Sequence, residues 1–250
     1  MFSVRLTTTR HTETNLYVLG FILFTVSVLT YFDVVYSFIF LSSTLFHVII
    51  ESGLYLAKIR KGDQFFRARK LPKPLEILIR SGVEGPAFCV PAFYIANHRL
   101  SSFLFLHVIG VICIVGAASF FLGWFDRKHA KTVNKDEIIV SRRAMTKPKG
   151  VMLLALINSI CILVIMTLPD KQAPHAYVYF ASYAGLVLLF YFINYNLGVR
   201  YIELYNAAQN SYERPPLAMQ ISGLIYDSAY EMTLLISPVY WAAYYIGVFS

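Results

Sequence analysis

The sequence predicts an all-α membrane protein: a bundle of seven transmembrane helices with the N-terminus inside and the C-terminus outside. The first observation is composition, because 57% of the 250 residues are hydrophobic and only 14% are charged. The mean hydropathy is +0.58. Such a chain is too apolar for an ordinary water-soluble domain. A span needs roughly 20 mostly apolar residues, so the chain has room for about seven spans and short loops.

The apolar segments set the predicted spans. The run from Asn15 to Leu56 is nearly twice as long as one span, and we divide it near Asp33. The chain then forms one domain, residues 1–250, with spans at about 15–31, 34–57, 74–96, 100–125, 150–169, 175–198 and 218–248.

The second observation is the distribution of basic residues. Nineteen of the 22 Lys and Arg residues lie in the N-terminal segment or in the loops that follow spans two, four and six. Arg99 and Lys171 lie in the opposite loops, and Arg80 falls inside a span. Cytoplasmic loops carry the excess of Lys and Arg, which predicts the orientation stated above. The net charge of +8 is thus a topology signal, and no nucleic-acid motif accompanies it.

Ionisable residues inside spans are the candidate functional residues, because each is costly at mid-bilayer unless it is paired or hydrated. Three pairs are spaced four residues apart, which places both members on one helix face. They are His47 and Glu51, Arg80 and Glu84, and Asp227 and Glu231.

Counting 1.5 Å per residue from the cytoplasmic ends of the spans predicts how deep these groups lie. His47, Glu84 and Asp227 fall at one depth near the bilayer centre and are expected to cluster. Glu51 and Arg80 are expected to form an ion pair nearer the surface, which leaves Glu84 and Asp227 without a cation. For single polar residues, hydrogen bonding between helices is the favoured interpretation; these are His107, Asn158, Asn194 and Asn196.

Five local patterns, in order along the chain, resemble those of heliorhodopsins, which are rhodopsins with an inverted topology. They are residues 15–20, 45–53, 80–84, 122–126 and 194–203. The resemblance puts His47 on a family histidine and Glu84 on the counterion glutamate. It departs from the family at Leu23, where the family has a histidine, and at the tight turn near Asp33. It implies a rhodopsin-like fold and a homodimer.

In the family, a lysine of span seven binds retinal as a Schiff base. The stretch 223–231 resembles that segment and places Asp227 on the lysine position, with Tyr226 and Ser228 beside it. We therefore expect no covalent cofactor. The resemblance still allows noncovalent binding of retinal or of another apolar ligand. The binding site would be the former retinal site, which five residues form. They are His47, Glu84, Tyr226, Asp227 and Glu231.

The favoured function is non-enzymatic: signalling or regulation through a noncovalent ligand or a cytoplasmic protein at the basic loops 58–73 and 126–149. The protein is expected in the plasma membrane. One alternative is a proton or ion conductor, and another is a light sensor that holds retinal in a different way. The acids that such a conductor would use are Glu51, Glu84, Asp227 and Glu231.

An intramembrane metal enzyme is the weakest hypothesis, because only one histidine sits at the central depth. Its ligands would be His47, Glu51, Glu84 and Asp227. We predict no metal site.

Overall fold

The structure, a computed structural model, describes residues 2–10, 12–56, 65–66, 69–129, 139–144, 152, 156, 159–160 and 162–246. Helices dominate this part of the chain. Their bounds are α1 Thr12–Phe32, α2 Val35–Leu56, α3 Lys73–Glu84, α4 Pro86–Asn97, α5 Leu104–His129, α6 Ala173–Leu197 and α7 Leu217–Tyr245. The predicted span 150–169 lies largely outside the described residues; within it, residues 162–166 are helical.

Four of the described helices are long and apolar enough to cross a membrane. These segments are Thr12–Phe32, Val35–Gly53, Leu104–Lys128 and Ala173–Leu197. Their outward faces are apolar: α5, for example, exposes Phe105, Leu106, Ile114 and Phe121. Apolar surface of this extent is unusual for a protein in water. The helices therefore have the length, composition and surface that are typical of a membrane protein.

The predicted third span is two helices, α3 and α4, which meet at Gly85. Gly85 keeps helical backbone angles, and its N–H donates to the Ser81 carbonyl at 3.3 Å. Pro86 has no N–H, so one helical hydrogen bond cannot form at this point. The Gly-Pro sequence thus divides an apolar run that hydropathy alone treats as continuous.

The core lies around α4, which packs against α2, α6 and α7. Its largest fully buried side chains are aromatic and include Phe93, Tyr179, Tyr183 and Tyr240. Their rings contact one another in edge-on and tilted arrangements, with Tyr179 5.2 Å from Tyr240 between ring centroids. Such geometries are the favoured ones for aromatic pairs. Most of the abundant aromatic residues in this region serve packing.

The sequence analysis did not predict a sheet, yet a four-stranded antiparallel sheet covers one end of the bundle. Its strands are β1 Phe2–Arg10, β4 Ile139–Ala144, β5 Arg200–Asn206 and β6 Ser211–Glu213, in the order β4-β1-β5-β6. A two-residue pair, β2 Phe65–Phe66 and β3 Arg69–Lys70, lies apart from it. Phe2, Val4 and Leu6 alternate with polar residues, which is typical of a strand. Long apolar runs, from which the spans are predicted, do not reveal such alternation.

The sheet joins three of the segments that the sequence analysis placed on one side of the membrane. The register pairs Leu6 of the N-terminal strand with both Arg143, which follows α5, and Ile202, which follows α6. The N-terminus and these two connections therefore meet at the same end of the bundle. The basic loops 58–73 and 126–149 fall mostly outside the described residues.

We expect Gly85→Ala to destabilise the protein, because α2 and α3 approach each other too closely there for a side chain. A Cβ at Gly85 would lie 2.6 Å from the Ser43 carbonyl oxygen, and neither backbone can easily give way. The expected loss is about 1–3 kcal/mol of unfolding free energy, measured by denaturant titration in detergent. Gly110→Ala is the control, since nothing lies within 4 Å of a Cβ there. Equal stability of the two variants would contradict the close approach.

Candidate functional site

A buried ion pair between Asp227 and Arg200 is the centre of the candidate site. Asp227 lies on α7 and is completely buried, and Arg200 is the first residue of β5. Arg200 donates from Nε to Oδ2 of Asp227 and from Nη2 to Oδ1, the second bond at 2.6 Å. The guanidinium also lies over the Tyr191 ring, 4.4 Å from its centroid. Two parallel bonds to one carboxylate are the strongest arrangement an arginine offers.

The turn after α6 and the start of α7 bring these two residues together. α6 ends at Gly198, whose φ of +70° reverses the chain direction at little cost. The strand β5 then runs beside the first turns of α7, where Gln220 exchanges two hydrogen bonds with the backbone of Ile202 at 2.9 and 3.0 Å. A Cβ at Gly223 would overlap the Ile202 side chain. Arg200 consequently lies level with Asp227.

The expectation that Glu84 and Asp227 lack a cation is wrong. Arg200 pairs with Asp227, and Arg80 donates from Nε to Glu84 at 3.0 Å. The predicted partner of Arg80, Glu51, lies farther from the same nitrogen, at 4.0 Å. The reason is that the sequence places Arg200 in a loop after span six. In the structure, the end of α6 and the start of β5 direct its side chain toward α7. The Arg200 side chain is only 13% exposed.

His47 lies close to Glu84, as predicted, and to Glu51, with which it shares a helix face. Asp227, the third member of the predicted cluster, pairs with Arg200 instead. The Nε2 of His47 lies 3.3 Å from Glu84 and 3.7 Å from Glu51. Its Nδ1 is buried and has no hydrogen-bond partner among the described residues. With Arg80 included, the four-residue cluster is electrically neutral when His47 is protonated. Neutrality matters here because unbalanced charge is expensive in a buried site.

The same three residues offer ligand atoms within 4.8 Å of one another, which is a geometry that a metal ion also accepts. Asp227, the fourth ligand of the metal-enzyme hypothesis, does not belong to that group and has both oxygens on Arg200. The guanidinium of Arg80 already supplies positive charge to both glutamates. The arrangement therefore suits a hydrogen-bonded ionic cluster.

A small cavity lies between the ion pair and the His47 cluster. It has a volume of about 130 Å³, and its polar lining includes Arg80, Glu84, Asp126, Asn194 and Arg200. This volume holds about four water molecules and is smaller than the roughly 300 Å³ at which drug-sized ligand pockets begin.

The sequence analysis did not single out Asp126 as a site residue. Its buried carboxylate accepts a hydrogen bond from Thr14 Oγ1 at 2.5 Å, which ties α5 to α1. Asp126 follows the predicted span 100–125 directly, where an acid is ordinarily solvated, so its position in the sequence does not indicate burial; in the structure it lies in the last turn of α5.

The two remaining residues of the predicted ligand site lie on α7. Tyr226 precedes Asp227 and is half-buried. The side chain of Glu231 lies outside what the structure describes. The structure thus brings together His47 and Glu84, and it places Asp227 on Arg200.

We expect Asp227→Asn to destabilise the protein strongly, because Arg200 would keep its charge without its carboxylate. Breaking a buried pair costs about 3–5 kcal/mol, and the adjoining cavity favours the lower end of that range. Denaturant titration in detergent measures the loss of unfolding free energy. Asp170→Asn is the control, since Asp170 is exposed.

A second variant gives the same test more sharply. Combining Asp227→Asn with Arg200→Gln should cost less than the sum of the two single losses, because both act on one interaction. Strict additivity would show that the two side chains do not stabilise the protein as a pair.

The contacts of Arg200, Asp227 and the His47 cluster are the observations from which the function is inferred. Comparison of the chain with models of known protein families, with curated proteins and with solved structures finds no match.

Proposed function

We propose that this protein is a heliorhodopsin-like membrane protein that acts without covalently bound retinal, in a signalling or regulatory role. In this proposal the chain has seven spans, an inside N-terminus and no enzymatic activity. It resides in the plasma membrane as a homodimer. The observation that carries the proposal is the Arg200–Asp227 ion pair, because Asp227 stands where the resemblance puts the retinal lysine.

The chemistry of Schiff-base formation supports this proposal. The reaction needs an amine next to the aldehyde of retinal. In the part of the chain that the structure describes, the lysines stand at helix ends or in connections; they are Lys70, Lys73, Lys128 and Lys171. Lys73, for instance, pairs with Glu76 at 2.8 Å in the first turn of α3.

The ion pair also offers a route by which a cytoplasmic partner would influence the helices. Arg200 belongs to the sheet, and Asp227 belongs to α7, which packs against α2 and α6. A partner that bound the sheet and withdrew Arg200 would remove the guanidinium from a buried carboxylate, at a cost of several kcal/mol. Such a difference between two states is what coupling between sites requires.

The small cavity favours a partner over an apolar ligand at this place. At about 130 Å³ it accommodates water rather than a molecule of the size of retinal. The basic loops 58–73 and 126–149 remain the proposed contact for a cytoplasmic protein. Their charge suits an acidic partner surface or anionic lipid headgroups.

The retinal test comes first. After expression with all-trans retinal, we expect the purified protein to show no visible absorption band and to release no retinal oxime with hydroxylamine. The reason is that the lysines that the structure describes stand at helix ends or in connections, whereas Asp227 lies inside α7. A retinal-binding rhodopsin expressed in parallel is the control for retinal uptake. A visible band in this protein would instead support the light-sensing alternative.

A proton conductor is the second candidate, and a specific observation favours it. The small cavity, which is large enough for a few water molecules, is lined by both Glu84 and Asp126. Beyond Glu84, His47 lies within 3.3 Å of Glu84 and 3.7 Å of Glu51. Acids and a histidine in such a chain are the usual groups of intramembrane proton pathways. Arg80 and Arg200, which line the same cavity, would then fix the positions of the carboxylates in this pathway.

We expect proton flux into proteoliposomes, if the protein conducts, to be abolished by Glu84→Gln. This variant removes a carboxylate that would carry the proton. A pH-sensitive dye inside the vesicles measures the flux under an imposed potential. Glu213→Gln is the control, because Glu213 is exposed on β6. Absence of flux in the unaltered protein, or flux unchanged by Glu84→Gln, would remove this candidate.

A further inference from the structure

A second and larger cavity lies at the end of the bundle opposite the sheet. The turn between α1 and α2, the connection between α4 and α5 and the residues that precede α6 meet there. The cavity has a volume of about 720 Å³, within the range of roughly 300–1,000 Å³ for small-molecule sites. It is separate from the Arg200–Asp227 pair, and none of the proposed functions above makes use of it.

A chain of hydrogen bonds forms the floor of this cavity. His175 of α6 is buried and bonds through Nε2 to the Asn97 side-chain oxygen at 2.8 Å and through Nδ1 to the Tyr240 hydroxyl at 2.9 Å. Tyr36 of α2 lies beside the Asn97 side chain. The Asn97 oxygen can only accept, so His175 donates from Nε2, while its Nδ1 bonds to the Tyr240 hydroxyl, which can either donate or accept. Residues of four helices, α2, α4, α6 and α7, thus meet at the floor.

The wall of the cavity is largely apolar and aromatic. Leu29 and Phe32 of α1 face Phe93 and Tyr94 of α4 across it. The ring of Phe93 packs against His175 at 5.2 Å between centroids, so the wall and the floor support each other. Such a surface binds a flat or branched apolar group without a large change in shape.

Arg99 supplies a positive charge to the lining. It is half-buried, and its Nη1 donates to the Ala96 carbonyl at 3.3 Å. Within the described residues, no carboxylate lies at salt-bridge distance from it. The other charged lining residue, Asp33, is exposed and accepts the Val35 N–H at 2.9 Å, so it caps the start of α2. Because Arg99 lines the cavity, its other N–H groups are available to a molecule bound there.

We propose that this cavity binds a small organic carboxylate that carries an aromatic or branched apolar group. The carboxylate would take two parallel hydrogen bonds from Arg99, which is the geometry a guanidinium provides best. The apolar group would lie against Phe93, Tyr94 and Leu29. The binding site does not depend on kinship with heliorhodopsins, so it stands or falls separately from the proposed function.

The experiment uses the full chain in lipid nanodiscs and isothermal titration calorimetry with 3-phenylpropionate. The matched ligand is 3-phenylpropanol, which has the same apolar body without the charge, and empty nanodiscs correct for partition into lipid. We expect saturable binding of the acid and binding at least about tenfold weaker for the alcohol, because a charge-assisted hydrogen bond is lost.

Two variants locate the site. Arg99→Gln should weaken binding of the acid about tenfold or more and leave the alcohol unaffected. Arg214→Gln is the control, because Arg214 is exposed and lies by Tyr201 at the sheet end.

Leu29→Trp keeps Arg99 but places a larger side chain where the apolar group is proposed to lie, and it should reduce binding of both ligands. Thermal unfolding of each variant verifies that it is folded. No saturable binding of 3-phenylpropionate at millimolar concentration, or equal binding by the Arg99→Gln variant, would overturn the proposal.

Discussion

The Arg200–Asp227 ion pair is the contact on which the architecture of one end of the bundle depends. Asp227 is completely buried, so its charge requires a partner with several hydrogen-bond donors. Arg200 meets that requirement only because α6 stops at Gly198 and β5 begins two residues later. The position of the strand then determines where the N-terminal strand β1 pairs and hence where the four-stranded sheet lies. One buried charge thereby links the helices to the sheet.

The two ends of the bundle solve the problem of buried polar groups in different ways. Near the sheet, charges compensate one another: Arg80 and Arg200 balance acids on α2, α3 and α7. At the opposite end, Asn97, His175 and Tyr240 satisfy one another through side-chain hydrogen bonds. The cavity at the sheet end is small and suits water, whereas the cavity at the opposite end is larger and is lined by Arg99, whose guanidinium suits a carboxylate ligand.

Sequence patterns anticipated part of the candidate site. The four-residue spacing of His47 and Glu51, and of Arg80 and Glu84, correctly placed each pair on one helix face, and the two faces meet. The spacing pattern does not predict Arg200 as the partner of Asp227. Depth in the membrane is estimated along each helix from its own end, so the estimate does not relate one helix to another. α7 begins beyond the end of α6, beside β5, so the estimate misplaced its residues relative to the other helices.

The sequence by itself determined the helical class and the membrane character, because hydropathy is a property of consecutive residues. It also determined the side-by-side placement of residues within one helix, since the helical repeat is constant. The tertiary structure alone decided which charges pair and where cavities remain. Those depend on helix ends, on the break at Gly85 and on strand register, and each of these brings together residues far apart in the chain. No local pattern encodes a distance of that kind.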